Sequence, residues 1–396
     1  MQTQQADYAR GSTRTNRPQT SKKSSGRNQF LNWQWPKPRF NFWQQSLLIL
    51  LPILCALGLF FVFEASTAES FQMVGHSYYF LTQQTKWMFL GWSVFGLGWL
   101  WPIKFWQKTA VWWYLVAMVS LVLVFIPGIG LALNGAHRWL SIGGLQAQPA
   151  EFLKFATLIF FASWLSKHQR LGAFLMFSSL PTFLVLMQPD LGSLLIVLSL
   201  MLGLYFVANG NLVKLLPIMV VGLLGLIVVI VTSPYRLARV TTYLNPEADP
   251  LGKGFHIRQV TLGLGNGGWF GQGLGNSTQK YLYIPEASSD SIFAIVGEEL
   301  GFVGAILILG LFLSLVLVIF KLGRELPPQS FERLVAQGIG IWVGSQVFLN
   351  LAAVVALVPL TGIPLPFFSY GGSSLLMLFF IMGLLLQLSQ IKSEKT

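Results

Sequence analysis

Four acids crowd the stretch 280-KYLYIPEASSDSIFAIVGEELGF-302: Glu286, Asp290, Glu298 and Glu299. They lead straight into the apolar run 300-LGFVGAILILGLFLSLVLVIF-320. A lone carboxylate in a wet, protected place can act as a general base and take a proton from an attacking hydroxyl. A carboxylate pair at one reacting atom is a poor fit here. On a continuous helix Glu298 lies about 12 Å along the axis from Asp290 and is rotated by ~80°, while Glu299 points to the opposite side. Asp290 also suits a helix start, where free N–H groups and the helix dipole favour an acid, so an N-cap is its plainer reading. Glu298 and Glu299 are costly toward lipid and belong inside the protein or in a wet cavity, with ion pairing as their first expected role. A helix over 290–320 is about 46 Å long at ~1.5 Å per residue, against a hydrocarbon layer of about 30 Å. Its first ten or so residues must therefore tilt, lie in the interface or sit inside the protein.

A second group is 134-NGAHRWLSIGGLQAQPAEFLK-154, which carries Arg138, Glu151 and Lys154. Their charges suit a phosphate or pyrophosphate held by charge-assisted hydrogen bonds. Equally, Arg138 and Lys154 could be structural partners of Glu298, Glu299 or Asp190. In 188-QPDLG-192, Asp190 reads as an N-cap. Gln346 and Asn350, four apart, share a helix face and read as interhelical glue. The Gly-rich 263-GLGNGGWFGQGLGN-276 contains a GxGxxG with no strand–helix unit around it, so it reads as tight turns that let backbones approach. Asn276-Ser277-Thr278 is a formal glycosylation sequon. The segment 358-VPLTGIPLPFFSYGGSS-374, with Pro359, Pro364 and Pro366, cannot be one continuous helix and is expected as an ordered or re-entrant loop shielded by protein. The histidines, His76, His137, His168 and His256, never reach metal-ligand spacing, and the single cysteine, Cys55, has no intrachain partner.

The elements that must position these residues are membrane helices. Of 396 residues, 54% are hydrophobic and 10% charged, against about 25% charged in soluble domains. The apolar runs are continuous rather than alternating, which excludes a β-barrel. Ten spans are expected, near 45–63, 87–103, 109–127, 152–166, 172–188, 191–208, 213–233, 300–320, 335–358 and 372–389: an all-α polytopic membrane protein with a large extracytoplasmic loop between the seventh and eighth helices. With the N-terminus inside, 18 of the 26 Lys and Arg fall on the cytoplasmic side, as basic residues prefer, and both termini are cytoplasmic. The net charge of +12 does not point to nucleic acid. It is concentrated in residues 1–44, a basic polar tail expected to be disordered and unlike a signal peptide. The domain division is thus 1–44, a membrane domain 45–390, and a short cytoplasmic tail 391–396. Residues 128–151 read as a Gly-rich link, and residues 234–299 as a long outer segment expected to be ordered.

Taken together, NGAHRWL (134–140), QPAEFLK (148–154), QPDLG (188–192), the run 267–301 and GIPLPFFSYGGSS (362–374) resemble the SEDS family (shape, elongation, division and sporulation), and its division branch more than its elongation branch. The resemblance covers about residues 45–390. It implies a ten-helix peptidoglycan glycosyltransferase of the bacterial inner membrane, at the division septum. Such an enzyme polymerises lipid II and works with a class B penicillin-binding protein transpeptidase and other divisome membrane proteins. The family's key acid falls on Asp290. The usual His-Thr-Asp-Phe reads Ser288-Ser289-Asp290-Ser291 here, a departure that bears on how the acid is oriented. Arg138, Glu151 and Lys154 carry over as outer charged residues, and Gln259, Glu298 and Glu299 complete the expected substrate-binding set. No covalently bound cofactor is implied; a divalent cation, Mg2+ or Mn2+, is compatible with the chemistry. A lipid II flippase and a non-catalytic divisome scaffold are the alternatives.

Overall fold

The computed structural model describes residues 40–133, 136–142, 145–208, 210, 212–249, 252, 254–281 and 284–391. The expected tails therefore lie outside the described residues, apart from a few positions at their inner edges. Twelve α-helices are described: α1 (Phe42–Val74), α2 (Tyr79–Leu100), α3 (Ile103–Leu123), α4 (Pro149–Leu165), α5 (Leu171–Met187), α6 (Leu191–Val207), α7 (Leu212–Val231), α8 (Pro234–Leu244), α9 (Phe255–Asn266), α10 (Ile292–Arg324), α11 (Phe331–Val354) and α12 (Gly372–Leu388). Four of them, α1, α7, α10 and α11, are long and apolar enough to cross a membrane. Helices α5, α6 and α12 are shorter and equally apolar.

Hydropathy underestimates the first two helices. They were expected to end near 63 and begin near 87, but α1 runs to Val74 and α2 starts at Tyr79. The intervening polar residues remain helical because protein receives them: Ser66, Ser70 and Gln84 are buried. Hydropathy reports what faces lipid; helicity needs only that the backbone be satisfied. The core lies where α2 packs along α12, α10 along α11, and α3 along α4. Large side chains such as Trp342, Phe161, Phe312 and Phe379 are fully buried there. Helix α7 is the outlier, with 6% of its apolar span buried.

The Gly-rich link is not irregular. It folds into a three-stranded antiparallel sheet, β1 (Gly130–Leu133), β2 (Ala136–Ile142) and β3 (Leu145–Ala147), in the order β1-β2-β3. Leu131 pairs with Trp139, and Leu140 with Ala147. Strands this short show too few alternations to be read from the sequence. The described residues of the long segment 234–299 hold α8, a 3-10 turn at Pro246–Ala248, and α9.

Helix α10 explains its own excess length. Gly301 breaks it with φ 68° and ψ −168°, a conformation open in practice only to glycine. The first leg, 292–299, is buried throughout, so these residues sit inside the protein, one of the three outcomes expected. The second leg, 302–324, is about 35 Å long at ~1.5 Å per residue, a bilayer's depth. A broken helix leaves backbone groups without partners, and the Gly-rich segment supplies them. Gln272 and Gly273 N–H donate to the carbonyls of Glu298 and Glu299 (2.9 and 3.1 Å), while Phe302 and Val303 N–H donate to Gly268 and Trp269 (2.9 and 3.1 Å). A Cβ on Gly271 would stand 2.1 Å from the Glu299 carbonyl oxygen, so only glycine permits this approach.

Candidate active site

Asp290 lies two residues ahead of Ile292, the first residue of α10. The N-cap of α10 is Ser291, whose side chain makes no capping bond, so the expected capping role does not hold for Asp290. Two loops meet at this point. Asn350 on α11 donates from its amide to the carbonyls of both Asp290 and Ile363, each at 2.7 Å. Tyr370 N–H donates to the Ser288 carbonyl at 2.8 Å. Four residues N-terminal to Asn350, Gln346 donates to the Pro364 carbonyl at 2.9 Å. The pair expected as glue thus clamps the Pro-rich loop against the Asp290 loop, and the Pro-rich loop is ordered, with Ile363, Leu365, Phe367 and Phe368 buried.

A cavity of about 790 Å³ opens at this junction, within the size range of small-ligand sites. Asp290 and Glu286 line it, with Arg138 from β2, Arg239 from α8, His256 from α9, and Tyr370 from the Pro-rich loop. Asp290 is 9% exposed. Burial first, and then the negative charge of Glu286, raise its carboxyl from 3.8 to about 7, against the opposing pull of the Ser291 hydrogen bond and Arg239. A carboxyl poised near neutrality is what general-base work asks for.

Arg138 donates to the carbonyls of Gln188 (3.3 Å) and Pro189, which ties β2 to the turn before α6. In that turn Asp190 caps α6 as expected, accepting from Ser193 N–H at 3.0 Å. Arg239 donates to the Leu360 carbonyl at 3.1 Å. The guanidinium groups of Arg138 and Arg239 thus give the cavity two cationic edges.

The remaining expected substrate-binding residues do not line this cavity. Lys154 is 1% exposed. It pairs with Glu151 in its own helical turn at 2.7 Å and lies over the Trp342 ring, 5.3 Å from its centre. Its ionic partner is therefore Glu151, not Glu298, Glu299 or Asp190. Glu298 is held by Ser277, Thr278 and Gln279: it accepts from the Thr278 hydroxyl at 2.8 Å, from the Ser277 hydroxyl, and from the backbone N–H groups of Thr278 and Gln279, both at 3.3 Å. Two of the sequon residues, Ser277 and Thr278, thus bond an acid, while Asn276 is exposed and donates to the Gln272 carbonyl at 3.0 Å. Glu299 pairs with Lys280 at 3.2 Å, and Lys280 also pairs with Glu64 of α1 at 2.8 Å. Burial pulls the Lys280 ammonium down, but the bonds and charges of Glu64 and Glu299 outweigh it and leave it raised. Gln259 is half-buried on α9. The Gly-rich segment, read as tight turns that let backbones approach, makes that approach at the α10 break.

Two lining residues, Arg239 and His256, were not singled out in the sequence. The signal for Arg239 was its charge on the outer segment, where basic residues are not favoured by topology. His256 carries no such signal, because its spacing from the other histidines fits no metal. Among the described residues no three of His, Cys, Asp or Glu come together to hold a metal ion. The described residues do not make a cation site of their own.

The model of the family described as "Cell cycle protein", which spans FtsW, RodA and SpoVE, matches residues 44–394. The chain belongs to this family. It is 37% identical over 346 residues to the probable peptidoglycan glycosyltransferase FtsW of Coxiella burnetii, covering 85% of this chain and 93% of that relative. It is 38% identical over 363 residues to the stage V sporulation protein E of Bacillus subtilis, covering 87% and 96%. Among solved structures it resembles a chain from "Structural coordination of polymerization and crosslinking by a peptidoglycan synthase complex", with TM-score 0.72, 29% identity, and coverage of 87% and 97%. The rod shape determining protein RodA of Thermus thermophilus follows with TM-score 0.66, 26% identity, and coverage of 92% and 99%. With its apolar helices, membership of the family makes this a multi-pass membrane protein.

Proposed function

We propose that the chain is a peptidoglycan glycosyltransferase that uses Asp290 as general base. The observation that carries the reading is a buried carboxyl, raised to about 7, in a cavity flanked by two arginines. The substrates are two lipid II molecules. Asp290 takes the proton of the acceptor sugar's 4-hydroxyl as that oxygen attacks the donor's anomeric carbon. The bond from that carbon to pyrophosphate breaks, and undecaprenyl pyrophosphate leaves. Inversion of an α-linked donor gives a β-1,4 link without a second carboxylate nucleophile. Arg138 and Arg239 stand where a leaving pyrophosphate needs cations; Arg239 takes the place first expected of Lys154, which is spent on Glu151.

The chain crosses the bacterial inner membrane ten times, through α1–α7 and α10–α12, with both termini cytoplasmic and the cavity on the outer face. It works at the septum beside a class B penicillin-binding protein and other divisome membrane proteins. The test is polymerisation of lipid II by purified protein, with and without such a partner. Asp290→Asn is expected to fold, insert and lose at least a thousandfold in rate, an order-of-magnitude figure at the upper end for a general base. Turnover like that of the parent would remove Asp290 from the role.

A further inference from the structure

The carboxylate is not alone in its corner of the cavity. The Ser291 hydroxyl stands 3.2 Å from Asp290 Oδ1, and His256 Nε2 stands 2.8 Å from that hydroxyl oxygen. An ionised carboxylate only accepts hydrogen bonds. The Ser291 proton therefore points to Asp290, and the second proton at Ser291 Oγ comes from His256 Nε2–H. While Asp290 is ionised, His256 Nε2 is thus the donor in this pair. The three groups form one directed chain, donor to acceptor, running from α9 through the start of α10 to the acid. Both ends of the chain line the cavity.

We propose that His256, acting through Ser291, is a positioning residue that keeps Asp290 oriented and competent to ionise in its buried setting. This rests on the reading of Asp290 as general base. The chain favours the charged form of the acid, because each donated bond strengthens the next. It opposes the two influences that raise the acid, its burial and Glu286. The other charged or titratable groups around the cavity are Arg239 on α8, Arg138 on β2 and Tyr370 in the Pro-rich loop. Arg239 bears on both ends, favouring the anion at Asp290 and disfavouring a cation at His256.

The histidine is not a proton sink. Burial and Arg239 lower His256 to about 4, while Asp290 stands at about 7. Passing the captured proton on to the imidazole is therefore disfavoured. The proton stays on Asp290 until solvent or leaving group removes it, and His256 acts only by donating. Ser291 makes this possible, because its hydroxyl links the two side chains.

The test is the pH–rate profile of lipid II polymerisation by the purified full chain. The variants are Ser291→Ala, His256→Leu and His256→Gln, beside Asp290→Asn, with each variant's recovery as a monodisperse membrane protein checked first. His256→Leu, which leaves the Ser291 bond to Asp290 in place, should move the acid limb of the profile upward by a smaller amount, and Ser291→Ala by about one pH unit, the size expected for losing one hydrogen bond to a charged group. At pH 6.5 the Ser291→Ala shift reads as a loss of about tenfold, shrinking as pH rises. Gln at 256 can still donate, so its limb should return toward that of the parent. A general loosening of the fold would instead lower the rate equally at all pH values, and that result overturns the proposal. So does an acid limb that stays in place in Ser291→Ala or in His256→Leu while Asp290→Asn is inactive; the general base then stands without its relay. If Asp290→Asn keeps the parent's rate, the reading of Asp290 fails and the relay falls with it.

Discussion

At the scale of single residues, the burial of Asp290 has opposite effects on activity and stability. The base works when ionised, so kcat/KM should fall about tenfold per pH unit below roughly 7, the value to which the site raises the acid. For stability the sign is reversed. An unfolded aspartate ionises near 3.8 and the folded one near 7, so the folded chain binds more protons between those values. The stability contributed by the protonated acid is complete below about pH 4 and is lost progressively as pH rises to about 7, a deficit on the order of 4 kcal/mol. Asp290→Asn, which mimics the protonated acid, should therefore melt several degrees above the parent at pH 8, with the gap narrowing toward pH 4. Thermal unfolding in detergent at several pH values checks this. Lys280 gives a second residue-scale prediction. Replacing it with Met strands two acids, Glu64 and Glu299, each now within 3.2 Å of its ammonium. Leaving a buried charge unpaired costs about 3–5 kcal/mol, and adding Glu299→Gln should restore part of the loss in the same melts. The need of Glu298 and Glu299 for protein partners was legible in the sequence, because an acid beside an apolar run must find them. Which partners they took was not: Ser277, Thr278 and Lys280 reach them only after the chain has turned back on itself.

At the scale of elements, the decisive feature is the break in α10. The sequence shows a helix too long for a bilayer, which requires some accommodation, but not where it happens. Gly301 is only one of several glycines along α10, and it becomes the hinge because the segment 267–273 offers four backbone partners there. A Cβ at Gly301 would lie 2.3 Å from Gly271 N, on top of the cost of a positive φ. Gly301→Ala should lower stability by at least about 2–3 kcal/mol, seen as poor recovery of monodisperse protein and a lower melting temperature. Gly310, on the second leg, has no heavy atom within 4 Å of a built Cβ, and alanine there should leave the melt unchanged. The sheet that carries Arg138 marks the opposite limit of legibility: its strands hold 4, 7 and 3 residues, and such short pieces pair only once their ends are brought together.

At the scale of the whole molecule, the proposed ten-span arrangement predicts that the two ends of α10 face opposite compartments. In a Cys55→Ser background, a membrane-impermeant maleimide should label Tyr281→Cys in intact cells and Gln329→Cys only after permeabilisation. Labelling of both from one side would reject the arrangement. Tyr281 is 60% exposed and Gln329 is exposed, so neither label requires unfolding. Helix α7, whose apolar surface is almost wholly uncovered, shows how the bilayer completes the molecule: its hydropathy alone marks it as a span, and lipid supplies what no neighbouring helix does.

What the sequence by itself determined is what local composition and spacing govern: the helical membrane class, the long apolar runs, the Pro-rich stretch that could not be helix, and the cap at Asp190; Asp290 stood out through the family resemblance, not through spacing. What only the tertiary structure decided is which charged groups meet. Lys154 was drawn off to Glu151, Arg239 and His256 were brought to Asp290, and a run of glycines became the mate of a broken helix. The physical reason is that a buried charge or an unpaired backbone group must be satisfied by whatever the fold carries within about 3 Å, and for most of these groups that partner lies tens or hundreds of residues away along the chain.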